Sequence, residues 1–389
     1  MFKYILISGF ICTFLGAESF DIFLQKAIQN SPYLESSALA VQQTKEEGDI
    51  LTRYENPTLE LEYSSFKPDI GSSDEGYRVN YSQPIRLWNV ADDKRAVASS
   101  NIKSANASLA QKRAIFIRDM SISYTLYSQA KMLLGLGDEE LQIAKKIYDI
   151  SVARLQSGTI SKGVKLQAQV DFEMSENSKD FLSLNSMQSY YSLLKFAGVN
   201  EEIELDSVYD FTISADVQNI NNPELEVFKA QQNQAFREAK LNSNSVEWIN
   251  LFTELENEPE QDIVRVGLNF PLAIFNDKSQ EKRVATLQVS RTELLIKNEN
   301  SRLNIELKKL QKERQSLFRL SENSEKILST QLELLKMYED GYEISNINLL
   351  QLQDIKNRVI ETKRTLIQIH TALNQNAIYT NYTQGSYNE

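Results

Sequence analysis

The side chains that most often carry out chemistry in proteins are scarce in this sequence of 389 residues, which contains one histidine, His370, and one cysteine, Cys12. His370 lies in the stretch TLIQIHTAL, where we expect a packed or interfacial side chain rather than a general base or ligand. The acidic pairs Glu46–Glu47 and Glu139–Glu140 are adjacent in sequence, so their carboxylates point in different directions on a helix. No phosphate-binding loop or zinc spacing is recognisable. The sequence therefore predicts no enzymatic activity, no cofactor and no metal site.

The first residues have the layout of a secretory signal. Lys3 precedes an apolar run over residues 4–15, and small residues follow up to Ala17. We expect cleavage after Ala17, which removes residues 1–17 together with Cys12 and leaves no thiol in the mature protein. An N-terminal membrane anchor fits less well, because the run is well under the roughly 20 residues that a helix needs to cross a bilayer.

The charge balance argues against nucleic acid as a partner. The formal net charge is −11, and it becomes −12 when Lys3 is removed with the signal. Lysine and arginine alternate with acidic residues along helical stretches, which is typical of solvated helix faces rather than of the basic patches that bind phosphates.

Most of the chain has a helical pattern. Proline occurs seven times, and apolar residues recur at steps of three and four over about 97–155 and again over about 284–338. Each stretch would be on the order of 90 Å long as one helix. Gly135 and Gly137 weaken the first stretch, so the sequence leaves open whether that helix is broken there.

Two pairs of short segments break the helical pattern and alternate between apolar and polar residues. Leu59, Leu61 and Tyr63 alternate with polar residues in the first segment, which is typical of an amphipathic strand. Turn-forming residues separate the members of each pair. The predicted strands span about 57–66, 76–84, 246–255 and 262–271.

The two halves of the chain repeat each other. SQPIRLWNVADDKRAVA, from Ser82, is echoed by NFPLAIFNDKSQEKRVA, from Asn269. The halves align at offsets that drift from 191 through 187 to 184 residues. We therefore predict two structural repeats, 18–205 and 206–389, each with the order helix, strand, strand, long helix, turn, helix. The turns, at about 156–163 and 340–347, would form two helical tips.

The four amphipathic strands of one chain are too few to close a β-barrel. An open sheet leaves unpaired edges, and a closed barrel needs about eight strands or more, so several copies would have to share one barrel. Strands with one apolar and one polar face suit a barrel with lipid outside and water inside. A soluble sheet that buries its apolar face against the helices is the alternative, and periodicity does not separate the two.

The chain resembles the TolC-like outer-membrane efflux proteins over nearly its whole mature length. The resemblance rests on the signal, the duplicated unit, the phrases QPIRLWNVADDKRAV and FPLAIFNDKSQEKRV, and the tip segments SGTISKGVKLQAQ and DGYEISNINLLQLQ. It implies a homotrimer that is mainly α-helical, with a periplasmic α-helical tunnel and a shared 12-stranded outer-membrane β-barrel in contact with lipid. It also implies the outer-membrane channel of a tripartite efflux system in a Gram-negative bacterium, which works with a periplasmic adaptor and an inner-membrane pump. The wording VGLNFPLAIFN is most similar to the heavy-metal (cobalt–zinc–cadmium or copper) branch.

The repeated phrase would then be the joint between a strand and a long helix. Pro84 and Pro271 can end a strand because proline does not donate a ladder hydrogen bond. Trp88 and Phe275 either mark the inner lipid–water boundary, where aromatic residues are favoured, or pack in the core at a strand–helix corner.

The tips would form the periplasmic aperture and the adaptor-docking region. We predict that Gly158 and Gly341 end the descending helices in the left-handed conformation, and that Ser161 and Ser345 cap the returning helices. The family commonly has an acidic residue shortly after each turn, whereas this chain has Val164 and Asn348. The predicted tip residues are Gly158, Ser161, Leu166, Gly341, Ser345 and Asn348.

Two other classes of protein remain as alternatives. A periplasmic adaptor also carries a helical hairpin, but it would need a compact β domain rich in glycine and valine and would not be duplicated end to end. A secreted coiled-coil structural protein would explain the helices but not the paired strands.

Overall fold

A computed structural model describes residues 17–67, 70–71, 73–214, 221–344 and 346–387. The predicted signal at 1–17 therefore lies outside the described residues except for Ala17, and so does Ser345. The described residues form seven helices and four strands, and no helix among them is both long and apolar enough to cross a bilayer. The elements are α1 (Phe20–Gln29), α2 (Pro32–Thr52), β1 (Thr58–Phe66), β2 (Asp74–Arg86), α3 (Trp88–Gln156), α4 (Lys162–Ala197), α5 (Pro223–Leu241), β3 (Trp248–Glu258), β4 (Gln261–Asn269), α6 (Ser279–Glu343) and α7 (Leu349–Gln384).

The order α2, β1, β2, α3, α4 recurs as α5, β3, β4, α6, α7. The protein is thus mainly helical with a small antiparallel sheet, as expected. The helices form two long hairpins, α3 with α4 and α6 with α7, and α3 also packs against α2, α5 and α7.

Helix α3 runs unbroken for 69 residues through both glycines. Gly137 lies where α4 approaches most closely, since a Cβ atom there would be 2.7 Å from Cδ1 of Leu182. The missing side chain therefore permits close helix packing, and the packing offsets the weak helical propensity of glycine, about 1 kcal/mol relative to alanine.

The strands form one antiparallel sheet in the order β1-β2-β3-β4. The register places Leu61 opposite Val79, Val79 opposite Leu255, and Leu255 opposite Val264. Beyond the sheet, the described chain has an aromatic cluster around Phe20, Phe23 and Tyr124 and a second apolar cluster near the tips.

Two strands run past their predicted ends, since β3 continues to Glu258 rather than to about residue 255, and β2 also ends later than predicted. Strand β2 continues past Pro84 to Arg86, and Pro84 is paired in register with Asn250 of β3. Strand β1 reaches only as far as the Thr58–Ser82 pair, so β2 has a single neighbour at Pro84. A proline is tolerated there because one side of the strand has no ladder to complete. Strand β4, by contrast, ends at Asn269, two residues before Pro271.

Residues 202–214, which we call the strap, follow α4 in the chain. Two asparagines of α7 hold the strap in an extended path. Asn374 donates to Tyr209 O at 3.2 Å and accepts from Phe211 N at 3.0 Å. Asn381 does the same with Thr212 O at 2.8 Å and Ser214 N at 3.0 Å. Each amide replaces the hydrogen bonds that a neighbouring strand would make.

Further contacts tie the strap to α7 and α1. Nε2 of His370 lies 2.6 Å from Oδ1 of Asp210, so the predicted packed or interfacial histidine contacts the strap. The Tyr209 hydroxyl donates to Asp21 at 3.0 Å. Burial and this hydrogen bond raise the pKa of Tyr209 to about 12.

Candidate functional site

The sheet has one apolar face that nothing in the described chain covers. Side chains alternate along each strand, so every second residue lies on this face. Leu61 is 71% exposed and Val266 is 70% exposed. The face consists of Leu59, Leu61, Tyr63, Tyr77, Val79, Tyr81, Leu251, Leu255, Val264, Val266 and Leu268. Its exposure excludes the soluble arrangement in which the chain's own helices bury this face.

The opposite face carries a ladder of charged side chains. Glu62 pairs with Arg78 on the neighbouring strand, and Arg265 bridges Glu254 and Glu256. Nδ2 of Asn80 is 3.4 Å from Oε2 of Glu60. This face is therefore suited to water, and its glutamates outnumber its arginines. The outer edges of β1 and β4 have no strand neighbour among the described residues.

A cluster around Arg86 fixes the base of the sheet to α2. The guanidinium lies between two rings, 5.2 Å from the centroid of Tyr54 and 4.3 Å from that of Trp248. It donates to Thr52 O at 2.7 Å and to Arg53 O at 2.8 Å, and it pairs with Glu247 at 3.2 Å. Sequence reasoning missed this cluster, although Arg86 lies inside the repeated phrase.

The two joint aromatics do not pack in the core of the chain. Trp88, the first residue of α3, is 81% exposed, and Phe275 is 101% exposed. Of the two interpretations from sequence, core packing at the strand–helix corner is thus excluded within the chain.

The first helical tip agrees with its predicted geometry. Helix α3 ends at Gln156, and Gly158 has φ +75°, the left-handed conformation that favours glycine. Ser161 precedes α4 and accepts a hydrogen bond from Val164 N at 3.4 Å, as a helix cap does. Leu166, one turn into α4, is 46% exposed.

The second tip differs from its prediction in two ways. Gly341 lies inside α6, which continues to Glu343, and Gly341 is not among the positive-φ residues. A Cβ atom at Gly341 would be 2.6 Å from Cγ1 of Ile347, so glycine is needed there for space. The cap of α7 is Asn348, whose side chain accepts from Gln351 N at 2.9 Å. The predicted cap at Ser345, which is outside the described residues, is therefore wrong.

The misplaced cap has a simple origin. The helix ends Gln156 and Glu343 are separated by 187 residues, and so are the helix starts Lys162 and Leu349. The sequence alignment at an offset of 184 paired Ser161 with Ser345 because the two residues are of the same type, although they occupy different positions in the two turns. At an offset of 187, Ser161 corresponds to Asn348.

A buried tyrosine joins the hairpins beside the tips. Tyr342 of α6 is 1% exposed, and its hydroxyl is 2.8 Å from Oγ of Ser151 in α3. Arg154 donates to Tyr342 O at 2.9 Å and places its guanidinium 4.5 Å from the centre of the ring. Tyr342 lies within the tip phrase DGYEIS, but no pattern in the sequence predicted that its side chain is buried.

A buried ion pair joins α7 to α4 farther from the tips. Nζ of Lys356 lies 2.7 Å from both carboxylate oxygens of Asp171, and the Lys356 side chain is fully buried. Gln167 and Gln353 form a second link at 3.3 Å. The spacing of Lys356 with Leu352 and Val359 on one helical stripe was the available signal.

The described residues contain no group of three or more His, Cys, Asp or Glu side chains placed to hold a metal ion. The arrangement can instead hold two helical hairpins together at one end and present a two-faced sheet at the other.

Comparison with known proteins fits this architecture. Residues 23–199 match the model of the family described as outer membrane efflux protein, which is somewhat less than half of the chain. A comparison with curated protein sequences gave no significant match.

Solved structures share the fold over almost the whole chain. CusC, whose crystal structures concern transmembrane channel formation, matches with a TM-score of 0.78 and 14% identity, covering 96% of this chain and 93% of CusC. The CmeC outer membrane channel of Campylobacter jejuni matches with a TM-score of 0.74 and 15% identity, covering 94% and 85%. VceC, an outer membrane protein of Vibrio cholerae, matches with a TM-score of 0.76 and 12% identity, covering 94% and 96%.

The matched family and these neighbours are transport proteins rather than enzymes. The chain is therefore similar in sequence to the outer membrane efflux protein family over residues 23–199 and similar in fold to these solved structures over almost its whole length.

Proposed function

We propose that the protein is the outer-membrane channel of a tripartite efflux system, in which three copies close one twelve-stranded barrel and a helical tunnel. The observation that carries the proposal is the four-stranded sheet with an exposed apolar face, a charged face and two free edges. Exposed apolar surface and open strand edges are liabilities in water. Both are removed if copies pair edge to edge within a bilayer.

The polarity of the two faces supports this orientation. The apolar face would contact lipid, and the charged ladder of Glu62, Arg78, Glu254, Glu256 and Arg265 would line water. Trp88 and Phe275, at the bases of the strands, would lie at the inner lipid–water boundary, where aromatic side chains are favoured. Pro84 and Pro271 would belong to the same two joints.

The helical tips would form the periplasmic aperture and face the adaptor and the inner-membrane pump. The proposed aperture residues are Gly158, Ser161, Leu166, Gly341, Ser345 and Asn348. The contacts of Tyr342 with Arg154 and of Lys356 with Asp171 hold the two hairpins of one chain together, as a closed aperture requires. For the cargo, similarity to CusC and the wording VGLNFPLAIFN favour the heavy-metal branch.

Membrane fractionation followed by native mass measurement in mild detergent tests the proposal. We expect the protein in the outer-membrane fraction, as three chains. A stable full-length monomer would contradict it, because four strands do not close a barrel. Recovery from the soluble periplasm would favour the adaptor alternative, and recovery from the medium would favour the secreted coiled coil.

A transport measurement separates the channel from a passive outer-membrane protein. Deletion of the gene should increase cellular accumulation of cobalt, zinc, cadmium or copper, and the wild-type gene should restore efflux. If only other compounds accumulate, the heavy-metal branch is wrong while the channel function stands.

A further inference from the structure

The first described residues are held against the strap by backbone hydrogen bonds. Glu18 N donates to Glu204 O at 2.8 Å, and Asp206 N donates to Glu18 O at 3.0 Å, so Glu18 forms a parallel bridge with Leu205. The backbone nitrogen of Glu18 therefore has a fixed position beside the strap. Ala17, directly before it, is exposed.

The residue before this nitrogen, Ala17, and its hydrogen-bond partner, Glu204, both line a surface cavity of about 670 Å³ between α3, α4 and the strap. Three acidic residues of the strap, Glu202, Glu204 and Asp206, line the cavity, whereas Lys131 is the one basic residue among the described residues that line it. Removal of Ala17 would open space at the point where the Glu18 nitrogen lies.

The side chain of Glu18 adds an unmatched acceptor. Its Oε1 pairs with Lys26, but its Oε2 is buried and has no hydrogen-bond partner. A buried carboxylate oxygen without a donor is costly. The region therefore has more negative than positive charge and one acceptor that lacks a donor.

We propose that hydrolysis of the Ala17–Glu18 peptide bond creates an α-ammonium group on Glu18 that anchors in this acidic cavity and fixes the mature N-terminus to the strap. Water supplies the hydroxyl group that completes the Ala17 carboxyl and the hydrogen that completes the Glu18 amine. The amine then takes up a proton, since a free α-amino group titrates near pH 8, at about 7.7–8.0. The proposal goes beyond the channel function and rests on cleavage after Ala17.

The chemistry of the new group matches the site. The amide nitrogen before hydrolysis has one hydrogen, and Glu204 O already accepts it. The ammonium has three, so it keeps this bond and gains two donors for nearby carboxylates, which form stronger hydrogen bonds with charged donors. The positive end of the α1 dipole opposes a cation here, but several carboxylates outweigh the partial charge of one helix end.

Amine acylation of the protein purified from membranes tests this anchor. Acylation needs the neutral amine, and neighbouring carboxylates favour the ammonium form. At pH 7, Glu18 should react about tenfold more slowly in the folded protein than in the urea-unfolded protein. This ratio is expected if folding lowers the fraction of neutral amine about tenfold, which corresponds to a pKa higher by about one. Peptide mass measurement after timed acylation gives both rates.

Variants separate the acidic cavity from simple burial. Glu202→Gln combined with Glu204→Gln should bring the folded rate close to the unfolded rate. Glu201→Gln makes the same change in an exposed residue that does not line the cavity, and it should leave the protection intact. Equal rates in folded and unfolded wild-type protein would overturn the anchor, as would protection that persists in the double variant. N-terminal sequencing that finds a start other than Glu18 would also overturn it, whereas the trimer measurement judges the channel function independently.

Discussion

At the scale of single residues, Lys356 shows how burial changes the role of a charge. Its side chain is fully buried, while that of Asp171 is 21% exposed. Desolvation of such a pair offsets much of its attraction, so the pair itself contributes little net stability. Removal of one partner is different, because it leaves the other charge buried and uncompensated.

Asp171→Ala should therefore destabilise the protein by about 3–5 kcal/mol, whereas Lys356→Met should cost less, because the Asp171 carboxylate that it leaves is 21% exposed and can be hydrated. Unfolding by denaturant, followed by circular dichroism in detergent, measures both. The matched control is Asp354→Ala, which breaks the exposed pair with Arg358 and should cost at most about 1 kcal/mol. A Lys356→Met variant as unstable as Asp171→Ala would show that the pair itself is strongly stabilising.

The ion pair between Lys356 and Asp171 should also affect opening of the proposed aperture. If the hairpins part at the aperture, Lys356→Met weakens a link between α4 and α7 and leaves the carboxylate of Asp171, which is 21% exposed. We expect this variant to have a higher single-channel conductance in planar bilayers than the wild type.

Asp93 of α3 should make the stability of the protein depend on pH. Its carboxylate contacts Lys240 near the end of α5 and Asn244 after that helix. Burial would raise its pKa, but hydrogen bonds from Lys240 at 2.9 Å and Asn244 at 3.0 Å lower the pKa below the ordinary value of 3.8. A lowered pKa in the folded state means that the unfolded state binds more protons in acid. Asp93 therefore stabilises fully above its ordinary pKa, and this contribution is lost as the pH falls through the folded value.

Asp93→Asn should lower stability at neutral pH and flatten its decline below about pH 4. Unfolding free energies at a series of pH values check this expectation. Asp92→Asn is the control, since Asp92 is 68% exposed and pairs only with Arg95. A decline as steep in Asp93→Asn as in the wild type would assign the acid sensitivity to other carboxylates.

At the scale of elements, the two tips perform the same reversal by different means. The first turn uses the left-handed conformation of Gly158, with no atom within 4 Å of where its Cβ would lie. The second turn has a right-handed Gly341 with Ile347 folded over it. A substitution at Gly158 thus strains the backbone, and one at Gly341 displaces a side chain.

Gly158→Ala should cost about 1 kcal/mol, because an L-residue is strained at positive φ. Gly341→Ala should cost more in the wild type but less in an Ile347→Ala background, with a coupling of about 1 kcal/mol. A double-mutant cycle by denaturant unfolding measures the coupling. Ile347→Ala should not change the cost of Gly158→Ala, and equal coupling at both glycines would refute the distinction between the turns.

The strap depends on side chains for its backbone hydrogen bonds. Asn374→Ala and Asn381→Ala each leave an N–H and a C=O group of the strap unpaired, which should cost about 1–3 kcal/mol. Hydrogen exchange should accelerate at Phe211 in the first variant and at Ser214 in the second. The control is Asn304→Ala, since Asn304 bonds only to its own helix. Unchanged exchange at Phe211 and Ser214 would mean that other contacts hold the strap.

At the scale of the whole molecule, the described chain leaves one apolar face of its sheet uncovered. The long helices pack on one another within the chain, but the apolar sheet face and the edges of β1 and β4 have no partner in it. Under the proposed function, lipid would cover this face and strands of neighbouring copies would pair with these edges.

Substitutions at two adjacent positions test which face of the sheet contacts lipid. Leu61→Arg places a charge on the apolar face, where an arginine near the middle of a bilayer costs about 2–4 kcal/mol. Glu60→Arg introduces an arginine on the charged face of the same strand. We expect Leu61→Arg to reduce the outer-membrane fraction and the trimer, and Glu60→Arg to leave both near wild-type levels. Normal insertion of Leu61→Arg would show that this face does not meet lipid.

The sequence alone determined the features that depend on neighbouring residues. Helical periodicity predicted α3 and α6, and alternation predicted strands close to β1 and β4, because residues three, four or two apart share a face. The cap at Ser161 and the left-handed Gly158 followed from residue types at a turn. The echo of one phrase in the other placed the two strand–helix joints at Trp88 and Phe275.

Only the tertiary structure decided what depends on residues far apart in the chain. Asn348 rather than Ser345 caps α7, because α6 runs two residues beyond Gly341 and the turn therefore comes later in the chain. Lys356 is buried because Asp171, 185 residues away, meets it across two helices. Local propensities are worth tenths of a kcal/mol to about 1 kcal/mol per residue, whereas the loss of a core side chain, or of one partner of a buried ion pair, costs several kcal/mol. Packing between distant residues therefore outweighs local pattern wherever the two compete.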